Sequence, residues 1–285
     1  PHGVGGWARQ VGTRVAAVAA KVDALQGGGL GLHPAKGRGA GTACPTRSRI
    51  DASPLVWRLV DLPIFPLHLV LFPGRPLPLH LFEPRYLSML RDCLDGDRRF
   101  GVVAIRSGRE VGSDWYTDAD GNDVPADSVL HQVGTVTEIR TVAERPDGRF
   151  DIITKGSERF RLVQPLNDRA YLRADVEVLP EDRAATRDRI AAENLRDVLV
   201  PYLLGLGVPR EYTDRLPVDP CELSWMACSA LQVEVPVQQQ LLELPTHAER
   251  MDATARIIRR ETGIIRHLGM VGSFRPAGPG GAQLN

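Results

Sequence analysis

From residue 55 onward the chain alternates apolar and polar positions in short runs. "VWRLVDLPIFPL" and "HLVLFPG" predict short strands joined through a proline, and "PLPLHLF" predicts another. Pro63, Pro66, Pro73, Pro76, Pro78 and Pro84 interrupt this apolar stretch. Proline donates nothing to a sheet ladder and is confined to edges, strand starts and bulges. Pro73-Gly74 marks a turn. A helix follows, with Pro84 in its first turn, where a missing N–H costs nothing. Glu83 stands in front of it as a carboxylate cap for the free N–H groups. Leu87, Leu90 and Leu94 form its predicted buried stripe, flanked by Tyr86 and Cys93, and Gly96 ends it. Met89 lies off that stripe, one turn from Arg85.

"FGVVAI" reads as a buried strand and residues 106–128 as a long polar loop. "VGTVTEIRTVAE" and "RFDIITKGSERFRLVQPL" are strands around a Pro146-Asp147-Gly148 turn, with a bulge or tight turn expected at Gly156. "AYLRADVEVLP" is the last strand. After Pro180 the period becomes helical. Ile190, Leu195, Val198, Leu199, Tyr202 and Leu203 share one face, and Pro201 should kink it. "DPCELSWMACSAL" opens with Asp219 and Glu222 as a capping box, and "THAERMDATARIIRRETG" with Thr246 and Glu249. A third, shorter helix, "VPVQQQLLEL", lies between them. The pattern predicts an α+β protein, with a β-rich domain over 54–180 and a helical bundle over 181–268. Residues 1–53, Gly-rich and aperiodic, are expected to be a disordered or non-native extension, and 269–285 a flexible tail. The chain opens on Pro1 rather than Met, as a fragment or a misassigned start would.

Charge narrows the partners. Lys plus Arg equals Asp plus Glu, at 35 each over 285 residues. Residues 1–53 carry a net charge of +5, so the remainder carries −5. An acidic body argues against nucleic acid, which needs clustered cations. The four cysteines show no CxxC spacing, which fits reduced thiols in a cytoplasmic protein. No apolar run is long enough to span a membrane. The one targeting-like segment, "RVAAVAAKVDAL", is interrupted by Lys21 and Asp23.

"LPIFPLHLVLFPGRPLPLHLFEPRY", "VGTVTEI", "TKGSERFRL", "QQQLLEL" and "HAERMD" occur in order. Together they resemble the substrate-binding N-terminal domain of ATP-dependent Lon proteases over residues 58–260. The resemblance implies a PUA-like β pseudo-barrel followed by a small helical bundle. It marks Phe72, Pro73, Gly74, Pro78, Leu79, Phe82, Glu83, Tyr86, Gly156 and Arg159 as structural motif residues. Phe65, Leu67, Leu69 and Leu71 join Phe72, Leu79 and Phe82 as expected core. A small barrel bends its strands at corners, and prolines placed there cost little.

Catalytic motifs are missing from the sequence. There is no GxxxxGK[ST] phosphate loop, no GxSxG elbow and no HExxH. Lys155 is the only lysine after residue 53, so a Ser–Lys dyad would have to use it. His68, His80 and Glu83 are poorly spaced for a metal, and "DADGND" offers Asp118, Asp120 and Asn122 but lacks the glycine and glutamate of a calcium loop. The expectation is a stand-alone, non-enzymatic relative without the ATPase and protease modules. It would need no cofactor and bind unfolded or flexible polypeptide as an adaptor or holdase, with a protease or chaperone as a further partner. An RNA-binding PUA-like protein and an ATP-independent peptidase are the alternatives. Candidate polypeptide-binding residues are Trp115 and Tyr116, aromatics in the polar loop, with Met89 and Arg85. The aromatics could instead plug the barrel, and Met89 could line the barrel–bundle junction.

Overall fold

The computed structural model describes residues 59–106, 109–111, 115–117, 123–166, 168–181 and 186–267. The expected extension over 1–53, the tail over 269–285 and the loop positions Asp118, Asp120 and Asn122 lie outside the described residues. The order is β1 (Leu59–Leu67), β2 (Pro76–Leu81), α1 (Pro84–Asp95), β3 (Arg99–Ala104), β4 (Arg109–Val111), β5 (Trp115–Thr117), β6 (Asp123–Val124) and α2 (Ala126–Val129). Then come β7 (Val133–Glu144), β8 (Phe150–Leu166) and β9 (Arg173–Val178). The helices α3 (Thr186–Gly205), α4 (Arg210–Thr213), α5 (Pro220–Ala230), α6 (Val235–Glu243) and α7 (His247–His267) close the fold.

The main sheet runs β2-β8-β7-β3-β1-β9, and β8 also pairs with β9. That second pairing closes β9, β1, β3, β7 and β8 into a ring, because β8 spans 17 residues and changes partner along its length. Its first part lies against β2, its last part against β9. Register shifts between Thr135 and Thr137 and between Ile139 and Thr141 bend the β7–β8 ladder, as a small barrel requires. β1 exchanges partners too: Leu59–Pro63 pair with β9, Ile64–Leu67 with β3. Pro63 therefore ends one ladder, whereas Pro76 and Pro78 lie on β2, which among the described residues pairs only with β8.

Three cores hold the molecule. The ring interior is filled by Ile64, Val103, Val136, Phe160 and Val176. Gly134 makes room for Phe160, since a Cβ there would stand 2.7 Å from its ring. Helix α1 packs Tyr86, Met89, Leu90 and Cys93 against Phe65, Phe100 and Ile152. The bundle core takes in Leu195, Leu199, Leu223, Met226, Leu241 and Met251, and reaches into the barrel through Phe72 and Val133. Each such side chain contributes roughly 1.5–3 kcal/mol by burial. Asp219 caps α5, accepting from the Glu222 N–H at 3.0 Å, and Thr246 caps α7, accepting from the Glu249 N–H at 3.2 Å.

Several local expectations change. "HLVLFPG" is not a strand; it is the loop and turn that link β1 to β2. Residues 106–128 contain β4, β5 and β6, a separate three-stranded sheet, although their composition is polar. Ladder pairing there outweighs composition. The buried face of α1 is rotated so that Met89 is central and Leu87 and Leu94 are at its margin. Phe82 and Ile190, expected in the core, are each 58% exposed.

Candidate functional site

The barrel and bundle meet along a seam built from residues far apart in sequence. Arg159, in the middle of β8, is 2% exposed and lies between the two layers. Its guanidinium donates to the Leu242 carbonyl at 3.0 Å, the Leu244 carbonyl at 2.9 Å and Glu181 Oε1 at 2.7 Å. The first two carbonyls end α6, where no intrahelical donor remains, so a strand arginine caps a bundle helix. Arg250 on α7 donates to the Leu244 carbonyl at 2.9 Å and the Ser224 hydroxyl at 3.2 Å, and contacts His247 Nδ1 at 3.1 Å. Trp225 fits between the two guanidiniums, 3.4 Å from Arg250 and 5.4 Å from Arg159, and its ring packs 6.0 Å from Phe72. Gln239 adds a bond from α6 to the Val133 carbonyl at 2.9 Å.

The motif loop forms the barrel side of this seam. Gly74 adopts φ +77, a conformation that favours glycine. Its N–H donates to the Gly156 carbonyl, and the Gly156 N–H donates to the Arg75 carbonyl, both at 2.8 Å. A Cβ on Gly156 would stand 2.7 Å from the Phe72 carbonyl oxygen, so only glycine permits this double pairing without a shift. The expected irregularity at Gly156 is therefore a docking point for the loop.

Beside the seam opens a cleft of about 340 Å³, at the low end of the range for ligand pockets. Pro73, Gly74 and Arg75 border it from the barrel, and Trp225 and Met226 from the bundle. Leu203, Val208, Tyr212 and Leu216 give it an apolar wall. Its charged residues are Arg75, Lys155, Arg215, Glu181 and Glu222. Burial pushes the Arg75 guanidinium down to about 10, with Glu222 and Cys228 opposing the fall. Burial likewise pushes Arg250 down to about 10 and the Cys228 thiol up to about 11. Two buried donors at the cleft, Arg75 Nε–H and Trp225 Nε1–H, have no acceptor among the described residues.

Glu181, Cys221 and His247 bring potential ligand atoms within 4.8 Å of one another. A cation there would face Arg159 on Glu181 and Arg250 on His247 Nδ1, at 2.7 and 3.1 Å. Two guanidiniums so close oppose a metal ion, and the residues fit an ion-paired seam better. Ser157 also borders the cleft, but its hydroxyl donates to the Val136 carbonyl at 3.2 Å.

Residues 61–260 match the family described as the ATP-dependent protease La (LON) substrate-binding domain. The chain belongs to this family. This Lon substrate-binding domain is 26% identical over 214 residues to Lon protease 2 of Herpetosiphon aurantiacus, covering 72% of this chain and 24% of that protein. It is 30% identical over 188 residues to Lon protease 2 of Syntrophobacter fumaroxidans, covering 65% of this chain and 22% of that protein. The chain thus spans about a quarter of the length of the curated relatives it matches. In fold it is similar to the N-terminal domain of Mycobacterium avium complex Lon protease, with a TM-score of 0.52 at 16% identity, covering 70% of this chain and 98% of that one. The α+β architecture is the PUA-like pseudo-barrel with helices that the motifs implied.

The predicted site residues of this Lon domain do not converge. Met89 is 0% exposed in the α1 core and offers no surface, because the helix turns its Met89–Tyr86 face inward. Arg85 is half-buried at the start of α1, pairing with Glu83 Oε2 at 2.7 Å and resting 4.7 Å from the Tyr86 ring. Glu83 occupies the N-cap position but makes no side-chain cap bond; its carboxylate is taken by Arg85. Trp115 and Tyr116 form β5, so they belong to a strand paired with β4 and β6, not to a loop. Of the motif residues, Phe72, Gly156 and Arg159 build the seam, and Pro73 and Gly74 border the cleft. Pro78 and Leu79 lie on β2, and Tyr86 is buried under α1. Sequence reasoning missed Arg75, Glu181, Trp225 and Arg250. The only local signal was Trp225 within an otherwise small-residue helix face.

Proposed function

We propose that this domain binds unfolded or flexible polypeptide at the seam cleft, holds it without nucleotide or cofactor, and does not cut it. The observation that carries the reading is membership of a substrate-binding domain family over residues 61–260. The cleft supports it chemically. An apolar wall beside several charged groups suits a short stretch of chain whose side chains vary. Hydrolysis is given no part, because Ser157 donates to a backbone carbonyl and Lys155 is exposed on its strand. The adaptor or holdase role, beside a protease or chaperone, follows from a binding surface without chemistry of its own. Among the described residues no helix is long and apolar enough to cross a membrane, and Cys93 and Cys228 are free thiols. A reducing, cytoplasmic setting is the proposed location.

The test is fluorescence anisotropy of a labelled, permanently unfolded protein, with and without ATP, followed by a gel of the client. Binding at about micromolar affinity, unchanged by ATP, with the client intact, is the expected result. No binding at ~100 µM protein would overturn the reading. Trp115 and Tyr116, on β5, are a second place to test, by a double alanine variant that should weaken binding without lowering the melting temperature.

A further inference from the structure

Arg75 is the odd charge in this molecule. The fully buried arginines are engaged: Arg159 and Arg250 each donate to backbone carbonyls and side chains, whereas Arg75 is half-buried. Arg75 has no hydrogen bond or ion pair to a side chain among the described residues, and its Nε–H is buried without an acceptor. Its backbone is held at both ends of the turn, donating to the Phe72 carbonyl and accepting from the Gly156 N–H. The side chain is thus carried by a rigid loop into the cleft. Burying a guanidinium N–H without an acceptor is costly, and such a donor in a native structure calls for an explanation; Glu222 helps to hold the charge but does not take up this donor.

The surroundings of Arg75 name the missing partner. Trp225, 3% exposed and also lining the cleft, contributes a second buried donor without an acceptor. Lys155 and Arg215 add positive charge at the same cleft. Against them stand Glu181, already committed to Arg159, and Glu222, which no guanidinium or ammonium approaches within ion-pair distance among the described residues. Cations outnumber uncommitted carboxylates. A planar carboxylate matches a guanidinium fork in shape as well as charge. Next to these donors the wall of Leu203, Val208 and Leu216 is apolar. A carboxylate attached directly to an apolar residue satisfies both halves of the cleft, and that combination occurs at the C terminus of a polypeptide.

We propose that the seam cleft recognises the free carboxylate of a polypeptide that ends in an apolar residue, with Arg75 as its principal contact. This rests on the polypeptide-binding reading and gives it a substrate class. The same carboxylate chemistry could come from an internal Asp or Glu, so the test separates the two sources.

Three labelled decapeptides built on one parent sequence are titrated into the full chain. The first ends in leucine with a free acid, the second in leucine amide, and the third in leucine amide with one internal aspartate. The free acid should bind at least tenfold more tightly than both amides. In Arg75→Gln the difference between acid and amide should disappear, and in Arg75→Lys it should be partly kept. Equal binding of the free acid and the two amides by the wild-type chain would overturn the carboxylate site while leaving polypeptide binding standing. Preference for the aspartate peptide over the free acid would overturn the terminus as the source. No binding of any peptide, or of the unfolded client, would bring down the polypeptide reading itself. Should Arg75→Gln fail to fold, the wild-type comparison of acid with amide still decides the matter.

Discussion

Strand β8 carries two ionic clusters that look alike in sequence. Near its start Asp151 accepts from Arg145 Nε at 2.7 Å and pairs with His80 Nδ1 at 2.7 Å, all three open to solvent. In its middle Arg159 joins Glu181 at the same 2.7 Å but is buried, and adds two backbone carbonyls of another layer. Equal distances do not mean equal consequences. At the surface, water competes for each charge and side-chain ordering offsets most of the gain. In the seam water does not replace the arginine, and removing it strands a carboxylate and the Leu242 carbonyl, while the Leu244 carbonyl keeps Arg250. The first cluster decorates the hairpin; the second joins barrel to bundle.

That contrast can be broken most directly at Arg159. Arg159→Ala should cost about 3–5 kcal/mol in urea unfolding, the range for breaking a buried pair by removing one partner. A loss below about 1 kcal/mol would place the seam with the surface cluster. Gly156→Ala tests the neighbouring backbone contact without touching charge. With 2.7 Å between the new Cβ and the Phe72 carbonyl oxygen, it should cost about 1–3 kcal/mol and loosen the motif loop. A neutral result would mean that the loop gives way easily. The smallest effect is expected from Asp151→Asn. Hydrogen bonds from Arg145 and then His80 hold the Asp151 carboxyl below its usual range. Its contribution is therefore present above the carboxyl's unfolded value and lost as the pH falls through the lower folded one. Melting curves of Asp151→Asn should lie slightly below wild type near neutrality and converge with it on acidification below about pH 4. A clear drop at neutral pH would show that the exposed cluster does more than its exposure suggests.

The elements themselves were largely legible in the sequence. Alternation located β7, β8 and β9, the Pro146-Asp147-Gly148 turn separated two of them, and Asp219 and Thr246 announced their helices. Failures came where local pattern was silent. β4, β5 and β6 are too short and polar to signal pairing. Met89 is buried because α1 packs at an angle that spacing alone does not set. The cleft was invisible for a deeper reason. Arg75, Glu181, Cys221 and Trp225 come from a turn, a linker and a helix, and meet only when the layers dock. A buried arginine carries the same letter as an exposed one, so Arg159 and Arg250 gave no sign of joining layers.

Strand β2 pairs on one side only among the described residues, and it carries Pro76 and Pro78. Residues two apart in a strand present their backbone nitrogens to the same side. An unprotected sheet edge is a template, and extended chains add to it rung by rung. A domain that meets unfolded chains would be exposed to that hazard at every encounter. Two missing donors along one side make β2 a poor template, so an extended chain has little chance of zipping onto the sheet and seeding an aggregate. The prolines that break up the apolar run thus keep this edge from serving as the next rung for an extended chain.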